Sequence, residues 1–356
     1  QAAIANPELT WETTKVADVG VDFGVLNNRL TGTIDYFNKK TSNILINLPA
    51  SDAHGITTIP KINSATVTNQ GLEMTLGWQD KVGDFSYAVN GNFTYVKNVV
   101  NKYKGKDLGG QSIDGANLIW EGHSINSQYL LRVDRILQTD EDMALVQQMI
   151  DNAPVDKNGK KVNPFAAFGT PQKGDLLYKD INGDGIIDNT DKEIVSDGPN
   201  PKYMFGLNLS GSWKGIDLSV LFQGSAGAKV YWQSAAYNTP TVRYGYQINQ
   251  EVADGRWYEG RTDATYPRLL EYSSKVNTQQ SDFYLQNKNF LKIRNIQLGY
   301  TLPKTWVEKM QLERIRVYGS LENFVTFTKY KGFDPEVSGL NYPSMKQAVI
   351  GLNVTF

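Results

Sequence analysis

Cysteine is absent from all 356 residues, so a disulfide framework, a thiolate metal site and a cysteine nucleophile are excluded. Histidine is nearly absent. His54 and His123 lie far apart in polar stretches and read as loop residues, not a metal pair. No run approaches the ~20 apolar residues that a transmembrane helix needs. A basic excess is missing too: 36 basic and 37 acidic side chains leave a formal charge of −1, so no nucleic-acid partner is expected. There is no GxSxG elbow, no Walker-type phosphate loop and no HExxH pair, so no enzyme activity, catalytic residue or bound organic cofactor is expected. Residues Gln1–Asn6 carry neither an initiator methionine nor a signal peptide, and a mature fragment or one half of a longer chain is expected.

What the chain does have is period-two alternation. Val19, Val21, Phe23 and Val25 alternate with Asp18, Gly20, Asp22 and Gly24. Leu72, Met74, Leu76 and Trp78 alternate with Gly71, Glu73, Thr75 and Gly77. The same holds for Phe85–Tyr95, Tyr203–Trp213, Ile216–Phe222 and Ala348–Phe356. One apolar face and one polar or small face is the signature of strands with unlike surroundings on their two sides. A β-sandwich alternates in the same way. Two features favour a membrane barrel. The runs reach about ten residues, enough to cross a bilayer at a tilt. Aromatic residues also flank aliphatic ones, as Tyr203 and Trp213 flank Leu207 and Leu209, which matches girdles at two headgroup levels. Averaged over both faces, a mean hydropathy of −0.41 suits either reading.

Connections alternate between short and long. Asn27-Asn28 is predicted as a two-residue hairpin, and Asp80–Asp84 and Lys214-Gly215 as further tight turns. Thr41–Ala65, Val100–Trp120, Tyr231–Asn287 and Thr328–Met345 are long. Short periplasmic turns and long external loops are the outer-membrane arrangement. Counting back from a last strand that enters from outside, Phe85–Tyr95 must end outside and Tyr203–Trp213 must start there. The pieces Tyr129–Leu137 and Asp175–Ile181 between them are predicted to form a hairpin above the membrane, which leaves nine membrane strands. Alternation falters at Leu291–Asn295 and Gly319–Asn323, where bulges or extramembrane extensions are expected.

Several stretches resemble the C-terminal barrel of SusC/RagA-type TonB-dependent outer-membrane transporters. They are Asn6–Glu12 (NPELTWE), Gly20–Leu26 leading to Tyr36–Thr41 (YFNKKT), Asn69–Leu76 (NQGLEMTL), Asp175–Asp191, Phe290–Pro303 (FLKIRNIQLGYTLP), Glu322–Glu336 (ENFVTFTKYKGFDPE) and Gln347–Phe356. The resemblance implies an all-β fold, part of an antiparallel transmembrane barrel of about 22 strands with long extracellular loops. Residues 1–356 would be barrel wall, with residues 138–200 an extracellular insertion and 231–287 a long extracellular loop. The plug and the TonB-contacting segment would lie outside this chain. It also implies a Gram-negative outer-membrane location, lipid around the barrel, the remaining barrel strands as partners, a SusD/RagB-like surface lipoprotein as lid, the TonB complex as energy source, and oligosaccharides or peptides as cargo. Ala348–Phe356 would be the last strand and an assembly signal. The bare edges of such a fragment, Thr14–Val25 and Ala348–Phe356, predict that it does not fold alone.

Two further features carry chemistry. Asp180, Asn182, Asp184, Ile186, Asp188 and Asp191 follow the spacing of an EF-hand loop, with Gly185 at the sharp turn. A structural calcium ion is expected there. Asp191 departs from the usual glutamate, and Pro171, Gly174, Pro199 and Pro201 argue against flanking helices. The aromatic residues Trp232, Tyr237, Tyr244, Tyr246, Trp257 and Tyr258 are candidate contacts for a lid or ligand, or else the packing of a long loop. Two rival functions fit some of the same residues: a soluble calcium-stabilised glycan-binding or adhesin module, and a porin without TonB coupling.

Overall fold

The computed structural model describes residues 6–46, 61–104, 111–234, 238–242, 247–271, 275–337 and 339–356. Nine long strands make one antiparallel sheet in sequence order. They are β1 (Thr13–Val25), β2 (Leu30–Ile46), β3 (Ile62–Val82), β4 (Phe85–Tyr103), β5 (Tyr203–Trp213), β6 (Ile216–Ala226), β7 (Phe290–Thr301), β8 (Arg314–Thr328) and β9 (Gln347–Thr355). The expected count of nine is met, and no helix among the described residues is long and apolar enough to cross a membrane. β1 and β9 each pair with one neighbour among the described residues, so the sheet has two open edges.

Register carries the alternation across the sheet. Val21 faces Ile34, Ile34 faces Met74, Met74 faces Phe93, and Phe93 faces Phe205. Further on, Leu209 faces Val220, Val220 faces Ile296, Ile296 faces Leu321, and Leu321 faces Ala348. Directly opposed residues share a face, so one side of the sheet is apolar from β1 to β9. That face is not covered: Val19 is 73% exposed, Leu298 56% and Ile350 88%. The other side carries Asp35, Glu73, Thr75, Asn92, Asn208 and Gln297 in the same registers. Aromatic residues sort by height on the apolar side. Tyr95 and Tyr203 stack at 5.3 Å near one end, while Phe85, Tyr87 and Trp213 gather at the other. Near the second end Lys214 lies over Trp213 and Arg29 over Trp78, so long basic side chains reach past the rings.

Three of the four turns at the Trp213 end are short, as expected, while Leu302–Glu313 is longer and carries the helical residues Lys304–Val307. Val25 pairs with Leu30, so the first turn is the four residues Leu26–Arg29 and not a two-residue Asn27-Asn28 hairpin. Leu26, Asn27 and Asn28 all have positive φ, and a run of three left-handed residues needs the wider loop. Lys214-Gly215 is a two-residue turn, with φ of 47° and 89°. The two faltering stretches are bulges. Register shifts between Ile293 and Asn295 on β7, and Asn323 opposite them has φ 56°.

At the other end, the insertion between β4 and β5 folds on itself. Its regular structure starts at Gln111, earlier than residue 138, with a four-stranded sheet of Gln111–Asp114, Asn117–Trp120, Ser127–Leu130 and Glu193–Ser196. Val133–Ile136 pairs with Leu176–Tyr178, the hairpin predicted above the membrane. Helix α1 (Asp140–Asp151) lies between them and was not expected. Thr139 caps it, accepting from the Asp142 amide while the Asp142 carboxylate accepts from the Thr139 amide. Leu131, Leu137, Val146, Phe165, Phe168, Leu176 and Ile187 form the largest buried cluster. A single sheet with both faces open has no core of its own, so burial concentrates in this insertion.

Candidate functional site

Where the polar face of the sheet meets the insertion and the loops at the Tyr203 end there is a recess of about 770 Å³. Glu73, Asn92, Thr94, Met204 and Gln223 line its wall, from β3 to β6. Pro199 and Pro201 from the insertion, Lys288 before β7, and Pro335 and Glu336 between β8 and β9 form its rim. The lining is mixed: Met74, Phe205, Phe222 and Phe290 stand beside Glu73, Asn92, Gln223 and Glu336. Burial lowers the Lys288 pKa, while the nearby Asp334 and Glu336 charges pull the other way.

The rim is held by a four-charge cluster that the sequence reading did not single out. Lys292 Nζ lies 2.7 and 2.9 Å from the two oxygens of Asp334 and 2.5 Å from Glu336 Oε2. Arg294, at the β7 bulge, donates to Glu336, to Asn323 Oδ1 at 3.1 Å and to Gln223 Oε1 at 2.6 Å. Asp334 also accepts from the backbone amides of Glu336 and Ser344. Burial alone would raise the Asp334 pKa, but the Lys292 pair and the amide donors outweigh it and hold the pKa well below the ordinary carboxylate range. The available signal was the break in alternation at Leu291–Asn295, since a bulge re-aims the side chain that it carries.

The calcium-like loop is wound as its spacing predicts. Gly183 and Gly185 have φ of 75° and 77°. The Asp180 carboxylate accepts from the Gly183 and Gly185 amides, and Asp184 from the Ile186 amide. Asp188 accepts from Thr190, and Asp191 from Ile181, Asn182 and Asp188. Burial raises the Asp191 pKa against these amide donors. Among the described residues no Lys or Arg pairs with Asp180, Asp184, Asp188 or Asp191. Among the same residues, no three His, Asp or Glu side chains converge as a ready metal cluster. Asp191 Oδ1 instead closes the loop on its own amides.

Of the aromatic candidates, Tyr237, Tyr244 and Tyr246 lie outside the described residues. Trp257 is 9% exposed, and the half-buried Trp232 leans on Tyr330 with ring centroids 5.9 Å apart. Tyr258 is 56% exposed and stacks under Arg261. The loop and the insertion form one unit. Arg268 grips the buried Asp175 through two bonds of 2.7 and 3.0 Å, Asn277 Oδ1 accepts from the Leu176 amide, and Asp282 from the Val133 amide.

Known proteins share this arrangement. The family model "TonB dependent receptor-like, beta-barrel" matches residues 1–140. TonB-dependent receptor P3 of Formosa agariphila is 27% identical over 99% of this chain, which covers 35% of that protein. TonB-dependent receptor SusC of Bacteroides thetaiotaomicron is 27% identical over 99% of this chain, which covers 32% of it. The RagAB peptide importer in its closed-closed state shares the fold, with a TM-score of 0.75 and 23% identity over the whole chain and 36% of its own. The fold is thus that of a TonB-dependent receptor β-barrel. Within it, the resemblance to SusC/RagA-type transporters is borne out. The chain spans about a third of the length of the curated relatives that it matches.

Proposed function

We propose that this chain is part of the wall of a Gram-negative outer-membrane importer for oligosaccharides or peptides. The observation that carries this reading is the pair of sheet faces. One is an exposed apolar surface nine strands wide with aromatic residues at both heights, and the other is polar with a recess at its outer end. A soluble monomer rarely exposes so large an apolar patch, and an acyl-chain environment removes its cost. The chain acts as a passive wall, not as a catalyst. The remaining barrel strands close the edges at β1 and β9, because an open edge in lipid costs several kcal/mol per unpaired group. A SusD/RagB-like lipoprotein covers the external unit as a lid, with Tyr258 in its seat, and the TonB complex drives uptake through segments outside this chain. Deleting the gene for the complete receptor should abolish growth on one class of cargo, glycan or peptide, and restoring it should recover that growth. Recovery of residues 1–356 alone from the soluble fraction as a folded monomer would sink the reading.

The calcium-like loop supports a second assignment, a structural hard cation. Its candidate ligands are all oxygens, and its four carboxylates have no Lys or Arg partner among the described residues. Asp180, Asn182, Asp184, the Ile186 carbonyl, Asp188 and Asp191 would hold the ion, and the charge that it supplies would stiffen the external insertion.

A further inference from the structure

We propose that the segment after Asp334 is a hinged wall of the recess, with Asp334 as its fixed anchor and Glu336 as a releasable arm that a cationic group of a ligand draws off Arg294. The inference rests on reading the recess as a ligand site.

The two carboxylates share Lys292, but their surroundings differ. Lys292 and Asp334 are 2% and 5% exposed, whereas Glu336 is 27% exposed and borders the recess. Asp334 holds three things at once: the Lys292 ammonium, the Glu336 amide and the Ser344 amide. Removing it would leave a buried ammonium with one partner and free both ends of the segment. Glu336 is different. When its side chain leaves, Lys292 keeps Asp334, and Arg294 keeps Asn323 and Gln223. Arg294 then loses its carboxylate but keeps two neutral acceptors and is 20% exposed, so its guanidinium is left partly solvated and not sealed in as Lys292 would be. The arm is therefore cheap to release and the anchor is not. Glu73 on the opposite wall is a second carboxylate lining the same recess, and it favours the same ligand charge. Release would move the Glu336 side chain and loosen the residues after it, while Asp334 keeps the Glu336 amide and β7 and β8 stay paired.

The test is hydrogen exchange on the complete receptor in detergent, which needs no transport and so separates this inference from the transport reading. Glu336→Gln should speed exchange at least tenfold at Val337 and Gly339, with the Glu336 and Ser344 amides and Phe290–Arg294 still protected. Asp334→Asn should expose all of these together. Arginine amide added to the wild type should reproduce the Glu336→Gln pattern, and glycerol at the same concentration should not. If Asp334→Asn fails to fold, Glu336→Gln and the arginine amide response decide alone. Identical exchange patterns for the two variants, no response to arginine amide, or an equal response to glycerol would overturn the proposal.

Discussion

Lys292 and Asp334, 42 residues apart in sequence, form a bidentate pair of 2.7 and 2.9 Å that is almost sealed from solvent. The pair joins the outer end of β7 to the segment between β8 and β9. Half of such a pair is far worse than none, because the remaining charge stays buried without its partner. Lys292→Met is expected to lower the local opening free energy of both segments by about 3 kcal/mol or more. Native-state exchange measures this directly. Unchanged protection at both Phe290–Arg294 and Ser344 would show that the pair contributes nothing.

Acid should loosen the same place, and the sign follows from Asp334. Its folded pKa is depressed, so its contribution is full above the ordinary carboxylate value of about 4 and is lost as pH falls through the folded value. Protection of the segment is therefore expected to hold from neutral pH to about 4 and to decline only in stronger acid. Loosening near pH 6 would point to a different titrating group.

Gly215 should tolerate no side chain. Its φ is 89°, and a Cβ there would lie 2.7 Å from the Thr301 carbonyl oxygen. Gly215→Val combines a strained backbone of about 1–3 kcal/mol with a clash against backbone that cannot swing away. Folded yield, read as heat-modifiable mobility on a gel, is expected to drop for Gly215→Val and to stay level for Lys214→Asn, since Asn accepts positive φ. Equal yields for wild type and Gly215→Val would refute this.

Metal removal tests the loop at Asp180–Asp191. Chelation is expected to raise exchange in residues 180–191 and to leave β5 and β6 protected, because their ladder does not pass through the loop. Asp184→Ala should weaken terbium or calcium binding at least tenfold and mimic chelation. Indifference of the wild-type loop to both chelator and calcium would remove the cation assignment.

Strand number, face assignment and the sites of the bulges were legible in the sequence. Period two is a local property, and each run states its own faces without help from its neighbours. The calcium-like spacing was legible for the same reason, being contained in twelve consecutive positions. Leu26–Arg29 was misread as a tighter turn because only pairing shows which residues leave the ladder. Helix α1 was missed because it has no period-two alternation, and its local signal is confined to its cap and the apolar residues Met143, Val146 and Ile150. Local patterning thus specifies an amphipathic wall of nine strands. Only the tertiary structure decided that Asp175 meets Arg268, that Trp257 is packed inward while Tyr258 is exposed, and that Lys292 and Arg294 share Glu336. Those contacts join segments tens of residues apart. Their partners are chosen by how the external loops fold over the rim, and no local period encodes that choice.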